Sequence, residues 1–451
     1  MHFYDKEYYK AILTIGVPVL IQNLISIGLN LLDTLMVGKL GEKELAAVGS
    51  ANQIYFILTV ICFGLFSGAT IFMSQYISTG RIKEIRKILG MSYMTGAITA
   101  AIFVAGTYMA APCLIALFDS APEVVSLGSG YLRIACFSYL FSCISLSVIF
   151  GSRSINMLRV PTAINASALA INAMLNYVLI FGHCGIPLLG VRGAACATTL
   201  ARFFECAALI IFIYTTKNHP FRAKFSELFS FTFSEYRSVM KKTLPVIVHE
   251  GSWAFSVAAL FAIYGKLGTQ SLAVAQIANS VHEFLQSLNF GINNTCAVIV
   301  GNSLGRSDLK QAEARAAMSI RITWILNIFV FAILILIRGP IAAFYGFGPS
   351  TTQLLYRVFL AFAVTSFPKS ITYLITGGIL RAGGDTLYGM VVDCIFYVFI
   401  QLGLAALGVF VLKVPLYWAV ILAGLSDLTK LFVVYHRYHS RKWLNVLIET
   451  E

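Results

Sequence analysis

The sequence predicts an all-α polytopic membrane protein, with twelve transmembrane helices in two six-helix lobes related as parallel repeats. Three observations predict it. The first is composition: 58% of the 451 residues are hydrophobic, 12% are charged, and mean hydropathy is +0.80. An ordinary soluble domain carries about 25% charged residues, so a cytosolic enzyme and a disordered chain are excluded. The net charge of +13 and pI near 9.3 would fit a nucleic-acid-binding protein if the chain were soluble. Here the basic excess fits cytoplasmic loops. The second observation is the length of the apolar runs, about 20 residues or more, enough to cross a hydrocarbon core of about 30 Å as helix. Continuous runs of this kind are unlike the short alternating strands of a membrane barrel. The third is an internal repeat.

The elements follow in order. The first helix, 11–37, exceeds the 7–15-residue core of a signal peptide and is expected to remain a span; Lys39 and Lys43 follow it. The second, 51–79, is closed by Arg81, Lys83, Arg86 and Lys87. The third is 89–112 and the fourth 130–151, with Arg153 and Arg159 before the fifth, 160–182. Arg192 stands near the start of the sixth, 190–214. The longest polar stretch, 215–242, then divides the chain, so lobes of 1–230 and 231–451 are expected. The seventh and eighth helices, 243–264 and 271–303, flank Lys266. Arg306, Lys310, Arg315 and Arg321 lead into the ninth, 321–345. The tenth is 354–380, the eleventh 386–411 and the twelfth 414–436, followed by Arg437, Arg441 and Lys442. With the N-terminus inside, 22 of the 33 Lys and Arg face the cytoplasm, 8 face the other side and 3 lie within spans. This asymmetry puts both termini in the cytoplasm.

A shift of 227 superposes the halves. It places Pro18 on Pro245, Gly38-Lys39-Leu40-Gly41 on Gly265-Lys266-Leu267-Gly268, Ala51-Asn52 on Ala278-Asn279 and Phe63-Gly64 on Phe290-Gly291. Six helices separate equivalent points, so the repeats share one orientation. Such duplication is a transporter signature, with a substrate path between the halves. Nine cysteines (Cys62, Cys113, Cys136, Cys143, Cys184, Cys196, Cys206, Cys296 and Cys394) form no CxxC or Cys/His ligand spacing. No structural disulfide or zinc site is expected.

Charges inside a membrane are expensive and need a partner or a function. Arg202/Glu205 and Asp427/Lys430 are i,i+3 pairs on the sixth and twelfth helices and can neutralise themselves. Asp33, with Asn30 one turn before it, has no basic residue within a turn on its inward side. Asn172 and Asn176 share a face of the fifth helix, and Ala194 and Thr198 a face of the sixth. One carboxylate, two amide oxygens, a hydroxyl and a backbone carbonyl would make an oxygen cage for a hard cation. The alternative is an interhelical hydrogen-bond network. Glu250 follows Pro245 and His249 on the seventh helix, where proline permits a kink, and its alternative reading is a pair with Lys369. Trp253, three positions on, suits a lipophilic cation through its ring face, or simply packs. Lys369 either faces the cleft, where it would oppose cations, or snorkels. His282-Glu283 and Asp393 are further proton carriers or cleft residues. Asp385 is expected to cap the eleventh helix.

Several local words resemble one family. Asp33-Thr34-Leu35-Met36-Val37-Gly38-Lys39-Leu40-Gly41 with Leu45-Ala46-Ala47-Val48-Gly49, Gly190 to Thr198, and Arg381-Ala382-Gly383-Gly384-Asp385-Thr386 together resemble the multidrug and toxic compound extrusion (MATE) transporters, over about residues 10–440. The resemblance implies two six-helix lobes in a V, exporting organic compounds, often cationic, against Na⁺ or H⁺. It implies a cation or proton site at Asp33, Asn172, Asn176, Ala194 and Thr198, with Asn176 standing where some relatives have an acid. It also implies a coupling or substrate-charge role for an acid on the seventh helix, which Glu250 fits. Lys369 departs from relatives that place an acid on the tenth helix. The expected protein is a multidrug antiporter that needs no cofactor beyond its coupling ion and works as a monomer in a bacterial cytoplasmic membrane. The second reading is a flippase or exporter of a lipid-linked or anionic substrate from the same superfamily. A membrane enzyme is disfavoured, because no nucleophile elbow, P-loop, HExxH or catalytic carboxylate pair is present.

Overall fold

The computed structural model describes residues 6–118, 121–183, 185, 187–345 and 347–448. The Asn30 side chain and Cys184 fall outside the described residues. Twelve helical rods correspond one to one with the expected helices, and no strand occurs among the described residues. They are α1 (6–38), α2 (Glu42–Ser78), α3 (Ile82–Ala116), α4 (Pro122–Ala135, then Ser138–Ser154 after a 51° bend), α5 (Arg159–Phe181), α6 (Gly190–Thr215), α7 (Phe233–Gly265), α8 (Thr269–Gly305), α9 (Leu309–Tyr345), α10 (Pro349–Leu380), α11 (Thr386–Val411) and α12 (Leu416–His439). The loop between α6 and α7 holds one short turn of helix, Phe225–Leu228.

Ten rods are long and apolar enough to cross a membrane by themselves, and the bent α4 makes an eleventh among the described residues. α8 is the exception. Gln270, Gln276, Asn279, His282, Glu283, Gln286, Asn289, Asn293 and Asn294 interrupt its hydropathy. A helix this polar needs partners inside the protein rather than lipid. It finds them: Asn289 Nδ2 donates to Gln286 Oε1 at 2.7 Å and approaches Asn327 Oδ1 of α9 at 3.3 Å.

The contacts divide the chain into two compact units. One comprises 21–73 and 80–239; the other comprises 1–20, 74–79 and 240–451. In the first, Val37, Ala51, Ile115, Leu132, Ile180 and Val191 anchor an apolar core across α1 to α6. In the second, one core gathers around Val274, Leu334, Phe359 and Ala419, and another around Cys296, Ile320, Ile375 and Val434. Non-regular helix marks both units. In α3, Ala110 leaves helical geometry (φ −106°, ψ 17°) two residues before Pro112, whose ring excludes the usual bond to the preceding turn. In the second unit, π-helical turns occupy Leu374–Leu380, Ile395–Gln401 and Leu407–Val411. Such turns leave carbonyls in need of donors. The Ser256 hydroxyl of α7 lies 3.0 Å from the Tyr397 carbonyl and 2.9 Å from Gln401 Oε1.

The duplication is visible in the backbone. Gly41 and Gly268 have φ of +151° and +100°, and Gly80 and Ser307 have φ of +72° and +58°. Both pairs stand 227 residues apart, at equivalent turns. Only a left-handed turn reverses the chain there, and that conformation favours residues with little or no side chain.

Candidate functional site

In the unit of 21–73 and 80–239, three helices bring the predicted oxygen donors together. α5 and α6 approach closely because residue 193 is glycine: a Cβ there would lie 2.5 Å from the Leu179 carbonyl oxygen. Asn176 is wholly buried, and its Nδ2 donates to Asp33 Oδ1 and lies 3.4 Å from Asn172 Oδ1. Asn172 Nδ2 points at Thr198 Oγ1 at 3.5 Å, and that hydroxyl donates to the Ala194 carbonyl at 3.0 Å. All five residues singled out from sequence therefore belong to one cluster. Tyr131 of α4, which no motif or spacing singles out, stands against Thr198 and within electrostatic reach of Asp33. Asn176 Oδ1 is buried without a hydrogen-bond partner. An orphaned buried amide oxygen is costly unless something positive or protonated completes it. The donor set of hard oxygens with one formal charge fits a monovalent cation or a proton.

On the same unit, Arg202 and Glu205 pair at 2.8 Å, and Asn165 donates to the other carboxylate oxygen of Glu205. The self-neutralising pair expected on α6 is thus present, with an amide satisfying what the guanidinium leaves.

The second unit holds a longer chain of buried charge, and it differs from the sequence-based pairing. Lys430, fully buried, pairs with Asp393 of α11 rather than with Asp427 one turn away on its own helix. The reason is space as well as charge: the Lys430 ammonium also sits over the Tyr397 ring, 4.2 Å from its centre, and a desolvated cation gains from a π face. His249 Nδ1 approaches the second Asp393 oxygen at 2.5 Å. Glu250 pairs with Arg381 at 2.7 Å, not with Lys369. Arg381 follows the π-helical end of α10 and is 8% exposed, so a residue assigned to a loop reaches inward. Asp385 stands at the N-cap position of α11 without a side-chain cap; its carboxylate forms a fork with Arg437 at 2.7 and 2.9 Å. A bidentate guanidinium is the stronger partner.

Within this unit a cavity is lined by Trp253, Leu260 and Tyr264 of α7, Asn279 and His282 of α8, Phe362, Thr365 and Lys369 of α10, Tyr397 and Gln401 of α11, and Asp427 of α12. Trp253 and Lys369 therefore share a wall with Asp427. Glu250 and Asp393 are buried in the adjoining ion pairs. Glu283 is exposed: one residue along a helix is a rotation of about 100°, which turns it from the face that His282 presents. Among the described residues no group of three or more His, Cys, Asp or Glu side chains could hold a metal ion.

The family model for MatE matches residues 18–178 and again 245–407. The chain belongs to the MatE family. The two matches begin 227 residues apart, the same displacement that superposes the halves, so each half of a MatE protein is one copy of the unit. The chain is 26% identical over 433 residues to the probable multidrug resistance protein NorM of Bacillus subtilis, covering 93% of each chain. It is 26% identical over 407 residues to its namesake in Bacillus licheniformis, covering 87% of this chain and 86% of the relative. Among solved structures, a multidrug resistance MATE family transporter of the MOP superfamily in an outward-facing conformation superposes with a TM-score of 0.86 at 16% identity, covering 96% of this chain and 97% of that one. A MOP superfamily transporter from Pyrococcus furiosus superposes with a TM-score of 0.86 at 17% identity, covering 98% and 97%. The fold is that of a multi-pass MATE transporter.

Proposed function

We propose that this MatE protein is a multidrug exporter that moves organic compounds out of the cell in exchange for Na⁺ or H⁺, by alternating access of its two repeats, 1–230 and 231–451. The carrying observation is the Asp33 cluster. Asp33, Asn176, Asn172, Thr198 and the Ala194 carbonyl form one hydrogen-bonded chain inside the first-half unit, and the Asn176 amide oxygen within it is unpartnered. A coupling ion bound there would neutralise Asp33 and complete Asn176. It would favour whichever conformer holds the cluster closed, and it can shift the equilibrium only by its difference in affinity for the two conformers. The relatives named multidrug resistance proteins support the substrate side of the reading. The basic asymmetry of the loops supports a cytoplasmic location for both termini. Internal duplication supports a working monomer, because both halves of the path lie in one chain.

Glu250 takes a second role in this reading. It is held by Arg381 and lies 3.9 Å from His249. That makes it a group whose partner can exchange during the cycle, rather than a free carboxylate awaiting a cation.

The test is efflux of ethidium from proteoliposomes under an imposed Na⁺ gradient and, separately, an imposed pH gradient, with Asp33→Asn and Glu250→Gln beside the parent. Efflux driven by one gradient, abolished in Asp33→Asn with the fold intact, is the expected result and names the ion. A parent that moves no organic cation under either gradient overturns the exporter reading.

A further inference from the structure

Lys369 is a half-buried ammonium on the wall of the second-unit cavity, and no carboxylate oxygen lies within 4.0 Å of its Nζ among the described residues. Two of the three neighbouring acids are engaged elsewhere, and the third, Asp427, acts on Lys369 only across the cavity. Glu250 is held by Arg381, and Asp393 by His249 and Lys430. Asp427 lines the same cavity and receives the Thr372 hydroxyl at 3.3 Å.

His282, on the opposite helix of the same cavity, is 1% exposed. Its neighbours define its proton. Gln286 Oε1 accepts from Asn289 Nδ2 at 2.7 Å, an arrangement that turns the amide's Nε2 to the imidazole. Gln286 Nε2 lies 3.1 Å from His282 Nε2. An amide nitrogen can only donate, so Nε2 of the ring accepts and Nδ1 carries the hydrogen. Nδ1 has no partner in the protein. The Lys369 charge is felt at the same ring. The cavity wall thus holds an ammonium with no carboxylate within 4.0 Å and, behind it, a buried imidazole nitrogen without a partner, beside aromatic rings.

We propose that this cavity is a subsite for the carboxylate of an amphoteric aromatic substrate, with Lys369 and His282 Nδ1–H as its donors, Trp253 and Phe362 as its walls and Asp427 as the counter-charge for the substrate's amine. This refines the exporter reading and rests on it for the direction of transport, but the subsite is a binding claim that stands or falls separately. Simple lipophilic cations gain nothing from Lys369. Compounds that carry both charges gain a contact with the half-buried ammonium and the buried imidazole N–H, and pairing of such groups is where polar selectivity is largest.

The test uses the full-length protein in lipid nanodiscs and a matched pair of dyes: rhodamine B, which carries a benzoate and a cationic ring system, and its ethyl ester, which is only cationic. Binding is read by fluorescence anisotropy for the parent, Lys369→Met, Lys369→Arg and His282→Phe. The parent is expected to bind rhodamine B more tightly than the ester. Lys369→Met is expected to weaken the zwitterion about tenfold or more, the yield of one charge-assisted hydrogen bond, and to leave the ester unchanged or tighter. Lys369→Arg is expected to keep the preference, and His282→Phe to lose part of it. Equal weakening of both dyes in Lys369→Met, or a parent that prefers the ester or binds neither, overturns the subsite. If Lys369→Met does not fold, the other two variants decide by the same comparison. Efflux of the ester in proteoliposomes is measured alongside. A parent that shows the dye preference but no gradient-driven efflux refutes the exporter and leaves the subsite standing.

Discussion

Replacing Asp33 with Asn removes the one formal charge from the cluster of Asn172, Asn176, Thr198 and the Ala194 carbonyl while keeping its shape. A cation and a carboxylate about 3 Å apart attract by roughly 6 kcal/mol at an effective dielectric of about 20. Desolvation offsets most of that. A net loss of about 1.5–3 kcal/mol, as for other charge-assisted contacts, weakens ion binding roughly 10- to 100-fold. The consequence is readable without transport. A ligand at 100 times its Kd stabilises the folded state by about 2.7 kcal/mol, and one at its Kd by only about 0.4 kcal/mol. The protein carries its own reporters, because Cys62, Cys136, Cys143, Cys206 and Cys296 are free and buried. A thiol-reactive fluorophore therefore follows thermal unfolding, with exposed Cys113 setting the baseline. With about 100 mM NaCl in place of choline chloride, the parent is expected to melt several degrees higher and Asp33→Asn to show little or no shift. A parent indifferent to Na⁺ refutes Na⁺ as the occupant and leaves the proton. A Na⁺ shift that survives in Asp33→Asn refutes the site itself.

Three further outcomes follow from other parts of the molecule. Asp393→Asn strands the buried Lys430 ammonium and is expected to cost about 3–5 kcal/mol in the same melting assay. Asp427→Asn is expected to cost about 1 kcal/mol, and the reverse order would restore the i,i+3 pairing on α12. His219, in the loop between α6 and α7, is 1% exposed, and burial holds its imidazole below the ordinary value. The unfolded chain takes up that proton near pH 6.5 and the folded chain only at lower pH, so stability falls as pH drops below about 6.5. His219→Asn is expected to flatten the melting profile between pH 7.5 and 5 relative to the parent, and an unchanged slope would assign it to other groups. On α3, Gly90→Ala places a methyl 1.9 Å from the Leu228 carbonyl oxygen and is expected to destabilise by about 1–3 kcal/mol. Gly106→Ala on the same helix meets nothing within 4 Å and is expected to stabilise by about 0.5–1 kcal/mol. Equal melting temperatures for the two would show that α3 and the Phe225–Leu228 turn do not meet as described.

The fold was legible because a lipid environment removes most alternatives: long apolar runs must be helices, and the turns between them must carry the charges and glycines. The Asp33 cluster was legible for a similar reason. Asn172/Asn176 and Ala194/Thr198 stand at i,i+4, a spacing that puts each pair on one helix face whatever the helix packs against. The charge pairing in the second unit was not legible by the same rule. Lys430 had Asp427 at the right spacing on its own helix, yet it takes Asp393 across the helix interface, where the Tyr397 ring also receives it. Local spacing identifies which side chains can meet within a helix. It carries no information about which helix is the neighbour, and in a buried site that choice prevails. Arg381 was misplaced for a related reason: a π-helical turn ends α10, and this arginine follows it buried rather than in a solvated loop.

The repeat makes the difference between the halves informative. In the ungapped register that joins Pro18 to Pro245 and Gly38 to Gly265, Asp33 corresponds to Leu260 and Glu250 to Asn23. Within the apolar part of its first helix, 11–37 or 243–264, each half thus keeps a single acid at a different height and offers an uncharged residue where the other half is acidic. Leu260 is part of the cavity wall in the second unit, so the position that carries the cluster's charge in one half carries apolar surface in the other. The cavity lysine and histidine and the deeply buried cross-helix ion pairs, Glu250–Arg381 and Asp393–Lys430, are in the second half, whereas amides, hydroxyls and one carboxylate make up the cluster in the first. A duplicated scaffold that needed the same ion twice would retain the same donors twice. In the proposed reading the halves divide the chemistry, with hard oxygens offered to a small cation in one and donors beside aromatic walls in the other. Division of that kind is what an antiporter requires, because its two cargoes differ in size and charge and must each be recognised without satisfying the other's site.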